Sequence, residues 1–271
     1  WGWRTAWITL GVLTFAFGVI PPILFMARRP EAMGLEPDPG PDRPEEAESV
    51  SSQSEATFQA LVAEPSFTES NFTVRQAVRT RAFWFLAAFT GAAFTVQAGV
   101  SLHQVAHYID QGLPGPSAAL AASAFAIFQM FGAMFWAMLG RRVPVRFLLS
   151  AVALVLAVAA FGTSFSSSLS NALLAAATVG LGVGGLRILV RLAWADYYGR
   201  EHLGAIRGYT MSAQIGGQAA GPVLAGFMFD ANGSYQLPFI LFTGSAALAG
   251  LLVLFATPPR LRVPQAHPAS G

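Results

Sequence analysis

The sequence predicts an all-α membrane protein with about seven transmembrane helices, and three observations carry that prediction. Hydrophobic residues make up 54% of the 271 residues and charged residues 11%, a balance that leaves little polar surface for a soluble domain. Apolar runs close to 20 residues recur along the chain, about the length a helix needs to cross a ~30 Å hydrocarbon core. At that length in lipid, a helix is the element that satisfies its own backbone hydrogen bonds.

In chain order the runs are 7–26, 82–106, 117–139, 147–165, 169–194, 209–229 and 237–256. The loops between them assign an orientation. Close to the span ends, one set carries Arg28, Arg29, Arg75, Arg79, Arg81, Arg141, Arg142, Arg146, Arg200, Arg207, Arg260 and Arg262, and the opposite set carries Arg4 alone. Twelve arginines against one place the first set, and the C-terminus with it, in the cytoplasm, with residue 1 outside a multi-pass inner cell membrane.

The chain therefore divides into a single span in 1–27, a polar segment 28–81, six spans in 82–257 and a cytoplasmic tail 258–271. From 31 to 69 the polar segment holds ten carboxylates and one arginine among Pro, Ser and Gly, the composition of a solvated linker. Its end changes character, because over 73–80 Val74, Ala77 and Val78 share one helical face and Arg75 and Arg79 another. Two readings fit: a short amphipathic helix on the cytoplasmic membrane surface, or a polar turn ahead of the next span. A long acidic linker after one span suits a junction between two bundles. The single helix then ends a first bundle, and the six spans form a second.

The stretch 180–230 is the candidate functional wall. It reads as a glycine-rich helix carrying Arg187 and Arg191, a polar hinge over 196–207, and a second glycine-rich helix interrupted by Pro222. A charged side chain at the bilayer centre costs roughly 2.5–3.5 kcal/mol, so such residues face a protein interior or water. Arg187 lies about five residues past the middle of its span, roughly 7 Å into the cytoplasmic half at ~1.5 Å per residue. There its guanidinium either faces a cavity and binds a carboxylate bidentately or pairs with an acidic residue of another helix. Arg191 shares its face and lies close enough to the surface to snorkel, or to pair with Asp196 or Glu201.

His103 and His107 stand one turn apart on the outer half of the second span, with Asp110 beyond. Imidazole titrates near physiological pH, so the pair suits a proton relay. Two metal ligands and a helix-packing hydrogen bond are the other readings, and no third ligand is evident. Gln97, Gln129, Gln214 and Gln218 sit in otherwise apolar spans, where each lines a polar route beside Arg187 or joins two helices. Gly180, Gly182, Gly184, Gly185, Gly217 and Gly221 permit close helix approach, and Pro21, Pro22 and Pro222 interrupt backbone ladders.

The composition also excludes. A net charge of +2, with arginines in short loops, leaves no footprint for nucleic acid. Without lysine there is no amine for a retinal Schiff base, and without cysteine no disulfide or thiolate metal site. No Gly-rich phosphate loop precedes a lysine, no nucleophile elbow occurs, and no pair of intramembrane carboxylates is present. No enzyme activity and no cofactor are expected on these grounds.

Several segments, in order and spread over nearly the whole chain, carry a resemblance. The run 29–38 (RPEAMGLEPD), the stretch 76–84 (QAVRTRAFW), Leu102-His103-Gln104 with 109–112 (IDQG), the hinge 196–208 (DYYGREHLGAIRG), and Gly221-Pro222 through Asp230 with Gly233-Ser234-Tyr235 together resemble bacterial major facilitator superfamily transporters of the monocarboxylate and oxalate/formate type. The resemblance implies the sixth helix, the central cytoplasmic loop and a second six-helix bundle, with the first five helices absent. It implies transport of a small organic anion by alternating access in the lipid bilayer, proton-coupled or by exchange, with the missing N-terminal bundle as partner. It assigns Asp196, Gly199, Arg200, Gly204 and Arg207 to the loop between the tenth and eleventh helices and Gly221 and Pro222 to the eleventh, with conformational roles. It covers His103 but not His107, where proline is more usual. It also has a departure: in the loop 139–146, Arg141 stands where the family's Gly/Asp/Arg motif has aspartate, which puts the charge relay proposed for that motif in doubt here. Substrate recognition is expected at Arg187, Gln97, Gln129 and Gln214, and proton coupling at His103 and His107. Drug or metabolite efflux on the same architecture, and a seven-helix sensor without transport, are the alternatives.

Overall fold

Each apolar run becomes a helix, and the polar and proline-containing segments between them become the turns. The computed structural model describes residues 3–25 and 71–259. The acidic linker up to residue 70 and the tail from residue 260 lie outside the described residues. The chain forms two compact units, Trp1–Ser66 and Phe67–Gly271.

In the first unit the helix α1 (Trp3–Thr14) passes through a π-helical turn (Phe15–Val19) into α2 (Ile20–Phe25). The wide turn has a local cause. Pro21 and Pro22 offer no N–H to the carbonyls four residues before them, and just ahead of them the Ile20 N–H reaches back five residues to the Phe15 carbonyl. Ile8, Leu10, Val12, Phe15, Phe17 and Ile23 are all exposed, a surface suited to lipid.

The second unit consists of α3 (Val74–Val78), α4 (Arg81–Asp110), α5 (Gly115–Leu139), α6 (Val145–Ser164), α7 (Leu169–Tyr198), α8 (Leu203–Asn232) and α9 (Gln236–Val253). Side-chain caps set several starts. Thr73 and Gln76 form a reciprocal capping box at α3, with Thr73 N donating to Gln76 Oε1 over 2.9 Å, and the Thr80 and Ser168 hydroxyls accept from Phe83 N and Asn171 N at α4 and α7. Gly112, Gly199 and Gly233 carry positive φ at the ends of α4, α7 and α8, where a glycine escapes the Cβ penalty. The apolar face of α3 turns toward the bundle: Ala77 and the preceding Phe72 are buried, Phe72 N donates to the Tyr198 carbonyl, and Trp84 Nε1 donates to the Val78 carbonyl.

Five of the described helices, α4, α5, α6, α7 and α9, are long and apolar enough to cross a membrane. The 30-residue α8 corresponds to the expected run 209–229 but is not among them. Arg207, Thr210, Ser212, Gln214 and Gln218 along it keep its hydropathy low. With the helical segment 3–25, seven helical stretches stand where seven spans were expected, and the protein is an all-α, multi-pass membrane protein.

Packing follows a repeat. α5 lies along α7 and α4 along α8; behind them α6 packs on α9, α6 on α7 and α9 on α4. Exchanging α4, α5 and α6 for α7, α8 and α9 converts each close pair into another, the signature of an inverted repeat. Glycines set the two tight pairs. A Cβ at Gly184 would stand 2.6 Å from the Ala133 nitrogen of α5, and one at Gly221 would stand 2.8 Å from the Gly99 nitrogen of α4. Only a residue without a side chain lets the backbones approach that closely.

Gly184→Val should therefore lower stability by about 1–3 kcal/mol through overpacking. Gly216→Ala, on α8 with open space at its Cβ position, should leave it unchanged or raise it by about 0.5–1 kcal/mol. Thermal unfolding of the purified protein in mild detergent reads both; equal effects would contradict the close-approach account.

Candidate functional site

Because α7 pairs with α5 and α8 pairs with α4, α7 and α8 hardly touch. The gap between them is a cavity of about 180 Å³ lined by Phe94, Arg187, Val190, Arg191, Arg207, Met211, Gln214 and Gln218. Phe94 and Val190 are buried and form an apolar floor. On α8 the four lining residues fall at i, i+4, i+7 and i+11, one helical face. On α7, Arg187 and Arg191 are one turn apart, and both are exposed. A second cavity of about 390 Å³ lies on the other side of these arginines, walled by Ala126, Gln129, Met130 and Ala133 of α5 and by Gly184 and Ile188 of α7. Arg187 and Arg191 line both cavities.

The charge balance is one-sided. Among the described residues, three guanidiniums and two carboxamides face the smaller cavity, and no carboxylate lines either one. Among the described residues, the side chains of Arg187, Arg191 and Arg207 make no hydrogen bond or ion pair. The carboxylates of the described residues are Asp110, Asp196, Glu201 and Asp230, all in the last or first turns of helices or in the connections. None stands at membrane depth to pair with Arg187. Clustered, unpaired guanidiniums in a region of reduced dielectric repel one another, and an anion in the gap relieves that repulsion.

The expected site residues separate. Gln214 joins Arg187 in the smaller cavity and Gln129 joins it in the larger. Gln97 does not line either: it is 8% exposed, held inside the bundle on α4 with its Oε1 unpartnered. His103 is half-buried, with Nε2 3.3 Å from the Pro222 carbonyl and its ring 5.0 Å from that of Tyr235. His107 is fully buried, packed edge-on to Phe239 at 5.2 Å, with neither ring nitrogen hydrogen-bonded. No group of three His, Asp or Glu side chains gathers among the described residues.

The hinge residues serve several places. Arg200 interacts electrostatically with Asp196, which lines a third cavity of about 330 Å³ with Pro144, Val145, Arg146, Tyr197 and Pro258. Gly199 ends α7 with a positive φ. Gly204 sits in the first turn of α8 with open space about it, and Gly221 and Pro222 form the crossing with α4 and the contact to His103. Two aromatic hydroxyls tie this end together: Tyr197 donates to the Ala256 carbonyl over 2.6 Å, and the Tyr198 and Thr80 hydroxyls meet at 2.8 Å.

Two cavity residues go beyond the sequence expectation. Arg191 was expected to snorkel or pair, and Arg207 was expected to belong to the hinge; both turn onto the gap beside Arg187. The 207–211–214–218 spacing puts four lining residues on one face of α8 and the 187–191 spacing puts two on one face of α7, but neither spacing says that the two faces meet. The sequence model of the Major Facilitator Superfamily matches residues 104–270, well over half of the chain. No curated protein matches the sequence.

The chain lacks cysteine, so single-cysteine variants report access without background. A membrane-impermeant maleimide should label Gln214→Cys readily and Gln97→Cys only after unfolding. Comparable labelling of both in the folded protein would contradict the placement of these side chains.

Proposed function

The chain belongs to the major facilitator superfamily of membrane transporters, and from that premise we propose that it carries a small organic anion bound at Arg187. The observation that supports this reading is the cavity between α7 and α8, where guanidiniums converge with no carboxylate among the described residues to neutralise them. A carboxylate accepts two parallel N–H bonds from a guanidinium, and such charge-assisted bonds are roughly twice as strong as neutral ones. Gln214 and Gln129 add neutral donors and acceptors on either side, and Phe94, Met211 and Met130 offer apolar surface to the rest of a solute.

Transport on this reading proceeds by alternating access, with the bundle of α4–α9 rocking against an N-terminal bundle about the arginine cavity. The helix crossings at Gly184 and Gly221 act as bearings, and the Pro222 carbonyl carries motion of α8 to His103. In the orientation given by the arginine loops, Arg207 stands at the cytoplasmic mouth of the cavity and Arg187 farther in. Of the two histidines, His103 is the proton carrier of this proposal, because it is half-buried and next to the Pro222 carbonyl, whereas His107 is sealed among aromatic rings. Asp196 and Arg200 of the hinge, with Arg146 at the start of α6, hold the cytoplasmic ends of α6 and α7 in one of the two states.

Arg187→Gln in the full-length protein should weaken saturable anion uptake about 10- to 150-fold, the equivalent of the ~1.5–3 kcal/mol of a charged hydrogen bond, without lowering membrane insertion. Unchanged affinity in proteoliposomes would remove Arg187 from the site. His103→Gln should abolish the stimulation of that uptake by an imposed inward proton gradient; an unaltered response to the gradient would exclude His103 as the proton carrier.

A further inference from the structure

The number and spacing of the cations speak to the charge of the cargo. One carboxylate neutralises one guanidinium, yet Arg187, Arg191 and Arg207 share a single cavity of about 180 Å³. No carboxylate of α4, α5, α7 or α8 lines the cavity: Asp110 and Asp230 sit at the far ends of α4 and α8, α5 has none, and Asp196 at the end of α7 interacts with Arg200. Glu201 lies in the turn before α8. A singly charged acid bound at Arg187 would thus leave the charges of Arg191 and Arg207 unneutralised on the lining of the same cavity.

We infer that the cavity recognises an extended dianion, a dicarboxylate with its two charged ends several ångströms apart. One carboxylate binds at Arg187, on the inner side between α7 and Gln214 or Gln218. The other binds where Arg191 and Arg207 approach from opposite walls, one from α7 and one from the first turns of α8. Arg187 and Arg191 are four residues apart, so their Cα atoms are separated by about 6 Å along the helix axis. That separation favours a chain of about four to six carbons over a two-carbon diacid, whose charges lie too close to span both stations. Val190, Phe94 and Met211, which line the same cavity, give the intervening methylenes an apolar wall. Arg191 and Arg207 are on this account specificity-determining residues, and Arg187 is common to every anion that binds.

This inference rests on the anion-carrier reading, and the test keeps the two apart. Full-length protein in phosphatidylcholine vesicles, where no anionic lipid headgroup is present, takes up radiolabelled glutarate at pH 7.5 against unlabelled competitors: malonate through adipate, and the monocarboxylates butyrate and valerate. Four- to six-carbon dicarboxylates should compete at concentrations at least tenfold below those of monocarboxylates of matched length. Arg191→Gln and Arg207→Gln should each weaken the dicarboxylates at least tenfold more than the monocarboxylates and so shrink that preference, while Arg191→Lys should restore part of it. Monocarboxylates competing as well as dicarboxylates, or variants that weaken both classes in the same proportion with the protein still monodisperse, would overturn the dianion assignment and leave the carrier reading standing. Absence of saturable uptake for glutarate and for a labelled monocarboxylate alike would overturn both.

Discussion

Two backbone-to-backbone helix crossings hold the bundle together. Gly184 on α7 lies against the backbone of α5, and Gly221 on α8 against that of α4. In lipid there is no hydrophobic drive to pull helices together, so close contact between small residues does the work that a buried apolar core does in water. Each crossing draws its two helices together, and the consequence falls between the pairs. α7 and α8 are each committed to a different partner, their facing sides do not interdigitate, and a cavity opens where their polar residues converge.

That cavity explains why α8 is the least apolar of the long helices. A helix wholly surrounded by acyl chains is apolar on every side, whereas one that borders an aqueous gap bears a polar stripe. Arg207, Gln214 and Gln218 form such a stripe, with Tyr209, Ile215, Val223 and Phe227 exposed elsewhere on the same helix. On α7 the division is sharper. Gly180 and Gly184 meet α5, while Arg187 and Arg191 line the cavities. The same helix therefore makes a close backbone contact with α5 and carries two of the three cavity guanidiniums, so the position of that charge is fixed by the packing beside it.

Most of the architecture was legible in the sequence because bilayer thickness imposes a length that soluble folds do not, and runs of about 20 apolar residues announce themselves. Arg187 was legible for a similar reason, since charge at membrane depth calls for a partner or a cavity. Which helices face one another was not. Arg191 lies near enough to a helix end to snorkel on sequence grounds, and Arg207 reads as part of a turn; only the pairing of α4 with α8 and α5 with α7 brings both onto one gap. Gln97 illustrates the converse, a polar residue at a plausible depth whose helical face turns into the bundle. The segment before α4 shows a third limit: its amphipathic pattern says that one side is buried, and Ala77 and Phe72 meet the protein, a surface the pattern alone does not distinguish from lipid.

The account depends on anion occupancy at Arg187, and the most direct measurement is anomalous diffraction from crystals of the full-length protein grown with a brominated dicarboxylate. The expected result is a bromine peak in the gap between α7 and α8, with one carboxylate within about 2.7–2.9 Å of the Arg187 guanidinium. Density elsewhere, with Arg187 directed at acyl chains or locked against an aspartate or glutamate of the protein, would contradict it.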